Sequence, residues 1–171
     1  MKEMCSMSVV TRNGDGGVTR SLNGKIVRKD HPIIEFFGTI DELNSFLGLA
    51  KIHVGSKEKE IVKRVQRTLF KVAARVGDPE RYPDVSDDTS WVEEVITSLE
   101  ERVGTDDFVV PGASEAAALL DVCRTVTRRA ERRLTTILRG DPRLLNAQIF
   151  LNRLSDMLFL LARSVERSNQ E

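Results

Sequence analysis

The stretch LLDVCRTVTRRAERRLTTIL, residues 119–138, decides how this chain folds. Leu119, Cys123, Val126, Ala130, Leu134 and Ile137 recur at the 3.6-residue helical period, so one face is apolar and packs on a core. Arg124, Arg128, Glu131 and Arg132 occupy an adjoining face at i, i+4, i+7 and i+8, and Arg129 and Arg133 widen it. Five arginines fall within ten residues, with one glutamate among them. Like charges four residues apart repel and weaken a helix; an opposing anion would offset that cost. The planar guanidinium suits phosphate oxygens, to which it donates two parallel hydrogen bonds. Two readings of the strip stand open: a solvated charged face, or an anion site. A nucleic-acid surface fits less well, because no aromatic side chains interleave with the arginines.

Four more helical patterns lie outside this stretch. The first begins near Pro32, a residue suited to a first helical position, and carries Ile33, Phe37, Ile40, Leu43, Leu47 and Ala50. The second carries Ile61, Val62, Val65, Leu69, Val72, Ala73 and Val76 and stops at Gly77, with Pro79 beyond. A third, capped by Ser86 or Asp87, carries Trp91, Val92, Val95, Ile96, Leu99 and Val103 and ends at Gly104. After an extended linker, Phe108 to Gly112, Ser114 caps the arginine helix, which runs to about Arg139. Gly140-Asp141-Pro142 breaks it, and a fifth helix runs from Pro142 to about Arg167. Short connections and almost no strand signal make this an all-α chain: a five-helix up-and-down bundle, ferritin-like in architecture. Residues 11–168 form the domain, and residues 1–10 a flexible N-terminus.

The whole chain has 171 residues, enough for one domain with a real core. Aromatics are only 5%, so that core is aliphatic. Lysine plus arginine equals aspartate plus glutamate, 26 each. That balance gives no global reason to bind nucleic acid or an anionic membrane, so any anion site is a local cluster. Cys5 and Cys123 do not suggest a disulfide framework and suit a reducing, cytoplasmic compartment. No apolar run approaches a membrane span.

The fifth helix is apolar on nearly every side, from Leu145 to Leu161, and is expected to be buried. Asn152, Arg153, Ser155 and Asp156 interrupt it. Buried polar groups need partners; Arg153 and Asp156 can pair at i,i+3, whereas Asn152 has no obvious partner and is the better ligand candidate. On the first helix Gly38, Asp41, Ser45 and Gly48 form a strip of small and polar residues. That strip is either a packing surface or the place where Asp41 meets an arginine.

Residues 9–32 carry glycines, basic residues and turn signals at Asn13-Gly14, Gly16-Gly17 and Asn23-Gly24, without helical period. The loop Thr11 to Thr19 could cradle phosphate oxygens with backbone N–H groups. It lacks the Gly-Lys-Ser/Thr and the strand–loop–helix frame of a Walker A loop. Lys29-Asp30 adds a further phosphate contact before the first helix.

These segments together resemble the PduO-type ATP:cob(I)alamin adenosyltransferase family. The resemblance rests on Thr11-Arg12-Asn13-Gly14-Asp15-Gly16-Gly17, Lys29-Asp30-His31-Pro32, Gly38-Thr39-Ile40-Asp41-Glu42-Leu43-Asn44, Phe108-Val109-Val110-Pro111-Gly112-Ala113, Arg124 through Arg132, and Leu151 through Asp156. Six short motifs in order, spread over residues 11 to 163, are specific as a set. The resemblance implies a homotrimer of five-helix bundles with active sites between subunits. ATP would touch Thr11, Arg12, Asn13, Gly14, Asp15, Gly17, Thr19, Arg20 and Lys29 of one subunit's irregular, nucleotide-binding lead. The neighbour would contribute Arg128, Arg129, Glu131, Arg132 and Asn152. Asp41 and Arg124 would bridge the subunit boundary, and Phe108 would lie under the corrin ring. Arg12, Asn13 and Ala113 depart from the family's commoner Lys, Thr and Gly; none of the three removes a charge.

The implied reaction moves the 5′-deoxyadenosyl group of ATP to Co(I) of a reduced cobalamin. Co(I) is itself a strong nucleophile, so no side-chain nucleophile is required, and the chain shows no nucleophile–base pairing. The work left is to place C5′ and to stabilise departing tripolyphosphate. Mg²⁺ held mainly by phosphate oxygens would fit, with no certain protein ligand. A flavin-dependent reductase and an adenosylcobalamin-dependent enzyme are the implied partners. Two other classes compete: a non-catalytic helical-bundle interaction protein, and a di-metal ferritin-like protein. The last needs Glu-x-x-His pairs, and neither His31 nor His53 has a glutamate three residues earlier. His31 is read as helping the first helix start and His53 as a solvated helix-end residue.

Overall fold

The computed structural model describes residues 10, 12, 14–103 and 109–168. A two-stranded antiparallel hairpin, β1 (Val18–Arg20) and β2 (Ile26–Arg28), precedes five helices. These are α1 (Pro32–His53), α2 (Ser56–Gly77), α3 (Ser86–Val103), α4 (Glu115–Leu138) and α5 (Leu145–Ser168). A single 3₁₀ turn, Pro142–Leu144, leads into α5.

Side-chain chemistry fixes several boundaries. His31 Nδ1 accepts the Ile33 N–H at 3.2 Å and Pro32 opens α1, so His31 does start the helix. Ser114 Oγ accepts the Ala117 N–H and begins α4 as expected. At α3 the expected caps were Ser86 or Asp87. The helix instead starts on Ser86, and Asp84 receives both the Ser86 N–H (3.1 Å) and its hydroxyl (2.8 Å). A carboxylate two residues upstream can reach the free N–H at the helix entrance, a reach that sequence spacing alone leaves open. Those bonds, the backbone N–H first, hold the Asp84 carboxyl below the ordinary range.

Cross-helix pairs give the directions. Glu35 pairs with Arg133, Glu42 with Arg129 and His53 with Glu115, so α1 and α4 run antiparallel. Asn152 meets Glu131 and Arg163 meets Asp121, so α5 returns antiparallel to α4. Arg153 meets Glu93 and Arg167 meets the Arg102 carbonyl, which sets α3 parallel to α5. α5 packs on α4, α3 and α2. Phe150, Leu151, Leu154, Met157, Leu158 and Leu161 are fully buried along it. Each such side chain contributes about 1.5–3 kcal/mol of burial. The start of α5 is less buried than its composition implied: Leu145 is 52% and Ile149 36% exposed. Those two share the side of α5 that carries Asn152 and exposed Asp156, while Ala147, Phe150 and Leu151 turn inward.

The hairpin was not foreseen. Its strands have three residues each, and Val18 and Ile26 are exposed, so no buried face impresses a period of two on the sequence. It is tied to the bundle by Leu22, which lies over Gly77; a Cβ there would sit 2.5 Å from Leu22 Cδ1. Glycine at the α2 terminus thus lets the hairpin loop approach the helix. No described helix is long and apolar enough to cross a membrane.

Candidate active site

The five arginines of the α4 strip divide into two groups. Arg124 Nε donates to Asp121 Oδ1 at 3.0 Å. Arg129 is held by Glu42 and Arg133 by Glu35, both on α1. Arg128 and Arg132 are exposed and have no carboxylate partner among the described residues, where the only side-chain bond of Arg132 runs from Nη1 to the Arg128 carbonyl, at 3.2 Å. The sequence therefore merges two kinds of arginine. Three are held by carboxylates of this chain, Arg129 among them, and two stand free in one turn of helix.

Glu131 lies between the free pair, and its Oε1 accepts the Asn152 Nδ2–H at 3.1 Å. Asn152 Oδ1 in turn accepts from Arg153 Nη1 at 2.9 Å. Asn152 thus has two partners, where the sequence offered no obvious one. The expected Arg153–Asp156 pair does not form: Arg153 turns toward α3 and donates Nε to Glu93 at 3.0 Å. The reason is packing, since α5 presents Arg153 to a carboxylate on the neighbouring helix. Asp156 is left in the wall of a cavity of about 220 Å³ with Arg124, Arg128, Ser155 and Phe159. A second cavity, about 300 Å³ and mostly apolar, lies on the other side of Arg124, against Pro111, Gly112, Asp121 and Val122. Arg124 is common to both.

In the lead, Lys29 closes back on the glycine loop. Its backbone N–H donates to the Gly17 carbonyl at 2.9 Å. A Cβ on Gly14 would be 3.0 Å from Lys29 Nζ, so glycine there leaves room for the ammonium. Arg12 is exposed with φ +58°, and Asp15 and Gly17 are exposed beside it. Thr19 is half-buried in β1, and Arg20 Nη1 donates to the Gly24 carbonyl at 3.0 Å. Asp30 is taken by Arg28. Asp41 is exposed on α1 and its carboxylate makes no bond among the described residues. Thr11, Asn13 and Phe108, all named from the sequence, lie outside the described residues.

Sequence reasoning missed the acidic partners Glu35, Glu42, Glu93 and Asp121. Asp121 was findable as the i,i+3 neighbour of Arg124, and Glu35 and Glu42 as a one-face pair seven apart on the first helix. Buried Arg163, on Asp121 at 2.5 Å, was hidden in an apolar run. Among the described residues no group of three His, Cys, Asp or Glu side chains converges as metal donors. Cys123 is buried, and desolvation pushes its thiol up to about 12, which keeps it protonated and inert.

The family model for cobalamin adenosyltransferase matches residues 9–165, nearly the whole chain. This chain belongs to the cobalamin adenosyltransferase family. A corrinoid adenosyltransferase from Bacillus subtilis is 35% identical over 169 residues, covering 93% of this chain and 86% of the relative. The PduO corrinoid adenosyltransferase of Citrobacter freundii is 34% identical over 167 residues. This chain spans about half the length of that protein and of its Salmonella typhimurium counterpart. Among solved structures, a variant PduO-type ATP:corrinoid adenosyltransferase from Lactobacillus reuteri, complexed with cobalamin and ATP, superposes with a TM-score of 0.88 at 32% identity. The match covers 95% of this chain and 96% of that one.

Proposed function

We propose that this chain transfers the 5′-deoxyadenosyl group of ATP to the Co(I) centre of a reduced corrinoid, releasing tripolyphosphate. The observation that carries the reading is the free pair, Arg128 and Arg132, on a helix whose other three arginines in the strip are all matched by carboxylates. A solvated structural face has no need to leave one turn of like charge unbalanced; a triphosphate would balance it. The names and ligands of the relatives point to the same pair of substrates.

The chemistry asks little of the protein beyond placement and charge. Co(I) supplies both electrons of the new cobalt–carbon bond. The C5′–O bond breaks, and its electron pair leaves with tripolyphosphate. Arg128, Arg132 and Lys29 stabilise that growing negative charge, and the glycine loop positions the phosphates. Mg²⁺ fits as an ion held chiefly by the phosphate oxygens, whose charge it would neutralise. Glu131, between the two free arginines, could help orient it, although Asn152 already occupies one of its oxygens. Arg129, paired with Glu42, acts on helix packing more than on ATP. The inert Cys123 thiol is consistent with a reaction that uses no protein nucleophile.

The same reading extends to assembly. The lead of one subunit supplies Thr11 to Arg20 and Lys29, and a neighbour supplies Arg128, Arg132 and the Glu131–Asn152 pair, in a homotrimer. The unpartnered Asp41 carboxylate and the unused Nη groups of Arg124 suit a bridge across that boundary. The corrinoid lies on the Pro111–Gly112 side of Arg124, where the cavity is apolar. Phe108, in the same linker, sits under the ring and keeps water and the lower ligand off cobalt. A reductase would deliver Co(I), an adenosylcobalamin-dependent enzyme would take the product, and the cytoplasm would be the setting. The test is direct: chemically reduced cobalamin, ATP and Mg²⁺ are mixed with the protein, and the light-sensitive adenosylated product is followed by absorbance. Product formation at many times the protein-free rate is expected; a rate equal to that control would reject the activity.

A further inference from the structure

Arg124 does not stand alone in the wall between the two cavities. Asp121, one turn earlier, is 4% exposed and divides its carboxylate: Oδ1 accepts from Arg124 Nε at 3.0 Å, and Oδ2 from Arg163 Nη2 at 2.5 Å. Arg163, on α5, is 5% exposed. It also lies 3.0 Å from Glu166 Oε1, and its guanidinium carbon is 5.4 Å from the centre of the Phe159 ring. Phe159 is itself in the wall of the cavity that holds Arg124 and Arg128. Two cations and two carboxylates thus form one nearly closed cluster behind the site.

Stability alone gives a weak reason for such a cluster. Taking ions out of water costs about as much as their attraction returns, and apolar side chains of similar size often pack as well. What the cluster does supply is orientation. With Nε tied to Asp121, the Arg124 fork cannot swing freely, and its Nη groups make no hydrogen bond among the described residues. Arg163 fixes the Asp121 carboxylate from one side and covers Phe159 from the other. We infer that Asp121 and Arg163 are positioning residues: a buried brace that aims Arg124, the one arginine shared by both cavities, and so sets affinity for the corrinoid without setting affinity for ATP. The inference rests on the proposed reading that Arg124, bridged to a neighbour's Asp41, borders the corrinoid cavity. Arg128 and Arg132, assigned to the triphosphate, make no side-chain hydrogen bond or ion pair with Asp121 or Arg163 among the described residues.

Three variants of the full chain test it: Asp121→Asn, Arg163→Gln and the double variant. Each is read by thermal midpoint and by separate KM values for corrinoid and ATP. Asp121→Asn strands the Arg163 cation and lowers the midpoint. It also replaces the charged acceptor of Arg124 by a neutral carbonyl, and the looser fork should raise corrinoid KM about tenfold. ATP KM stays within about twofold, since its ligands keep their partners. Arg163→Gln lowers the midpoint but leaves Arg124 its carboxylate, so corrinoid KM rises less. The double variant carries no stranded buried cation, though Glu166 loses its partner, so it regains part of the thermal stability lost in Asp121→Asn, yet corrinoid KM stays raised. A double variant with wild-type corrinoid KM, or single variants in which both KM values rise together, would make the cluster merely structural and overturn the inference. Equilibrium dialysis with hydroxocobalamin reads the same shift without turnover. A wild-type protein that binds corrinoid but does not turn over counts against the activity alone, while one that binds none overturns both.

Discussion

Arg128→Ala separates a binding arginine from a structural one within a single turn of α4. The Arg128 guanidinium is exposed and has no partner among the described residues; only its backbone carbonyl is used, by Arg132 Nη1 at 3.2 Å, and that carbonyl survives the substitution. The stability change should therefore stay within about 0.5 kcal/mol. If Arg128 meets a phosphate, its loss removes a charge-assisted hydrogen bond worth about 1.5–3 kcal/mol. That corresponds to about a 10- to 150-fold fall in kcat/KM. Arg129→Ala, one residue along, is the control. It breaks the pair with Glu42, whose side chains are 39% and 43% exposed, and such pairs contribute about 0.2–1 kcal/mol to stability. Its kcat/KM should stay within about threefold of wild type. Adenosylation of chemically reduced cobalamin, run beside urea melts of both variants, decides the matter. Wild-type kcat/KM in Arg128→Ala, or equal losses in the two variants, would refute the division of the strip into free and paired arginines.

Other outcomes follow from single contacts. Asp84→Ala removes the acceptor at the start of α3 and should lower stability by about 1 kcal/mol at neutral pH in a denaturant melt. Because the Asp84 carboxyl is held low in the fold, its contribution is present above about pH 4 and is lost as pH falls through the folded value, so wild type and variant should converge in acid. A gap that persists unchanged in acid would point to another cause. In a Cys5→Ser background the Cys123 thiol should resist disulfide reagents near about pH 8 in the folded protein and react fully in concentrated guanidinium. Its raised pKa also means that stability falls as pH climbs above 9.0, the ordinary thiol value, toward 12, because only the unfolded thiol ionises there. Gly14→Ala would place a methyl 3.0 Å from Lys29 Nζ, the far end of a flexible chain. The melt should therefore change little while ATP KM rises several-fold; an unchanged KM would remove Lys29 from the nucleotide site.

Much of this architecture could be read before any coordinates. The helices were legible because 3.6-residue periodicity and terminal residues agree: Pro32 after a capping His31, Ser114 before α4, Gly77 closing α2. The hairpin was not legible, since three-residue strands without a buried face leave no period. The arginine strip was legible as a cluster but not in its parts. Whether Arg129 meets Glu42 or an external anion depends on the antiparallel register of α1 and α4, which no local pattern encodes. The same holds for Arg153, whose local partner Asp156 loses to Glu93 across the helix pair. Arg163 stayed invisible because a buried cation is rare enough that an apolar run reads as purely apolar.

The most direct measurement is a crystal structure grown with ATP and Mg²⁺. One nucleotide should touch two chains, its triphosphate lying between residues 12–29 of one subunit and Arg128 and Arg132 of a neighbour. A triphosphate bound within a single chain, or anywhere out of reach of those two arginines, would contradict the account.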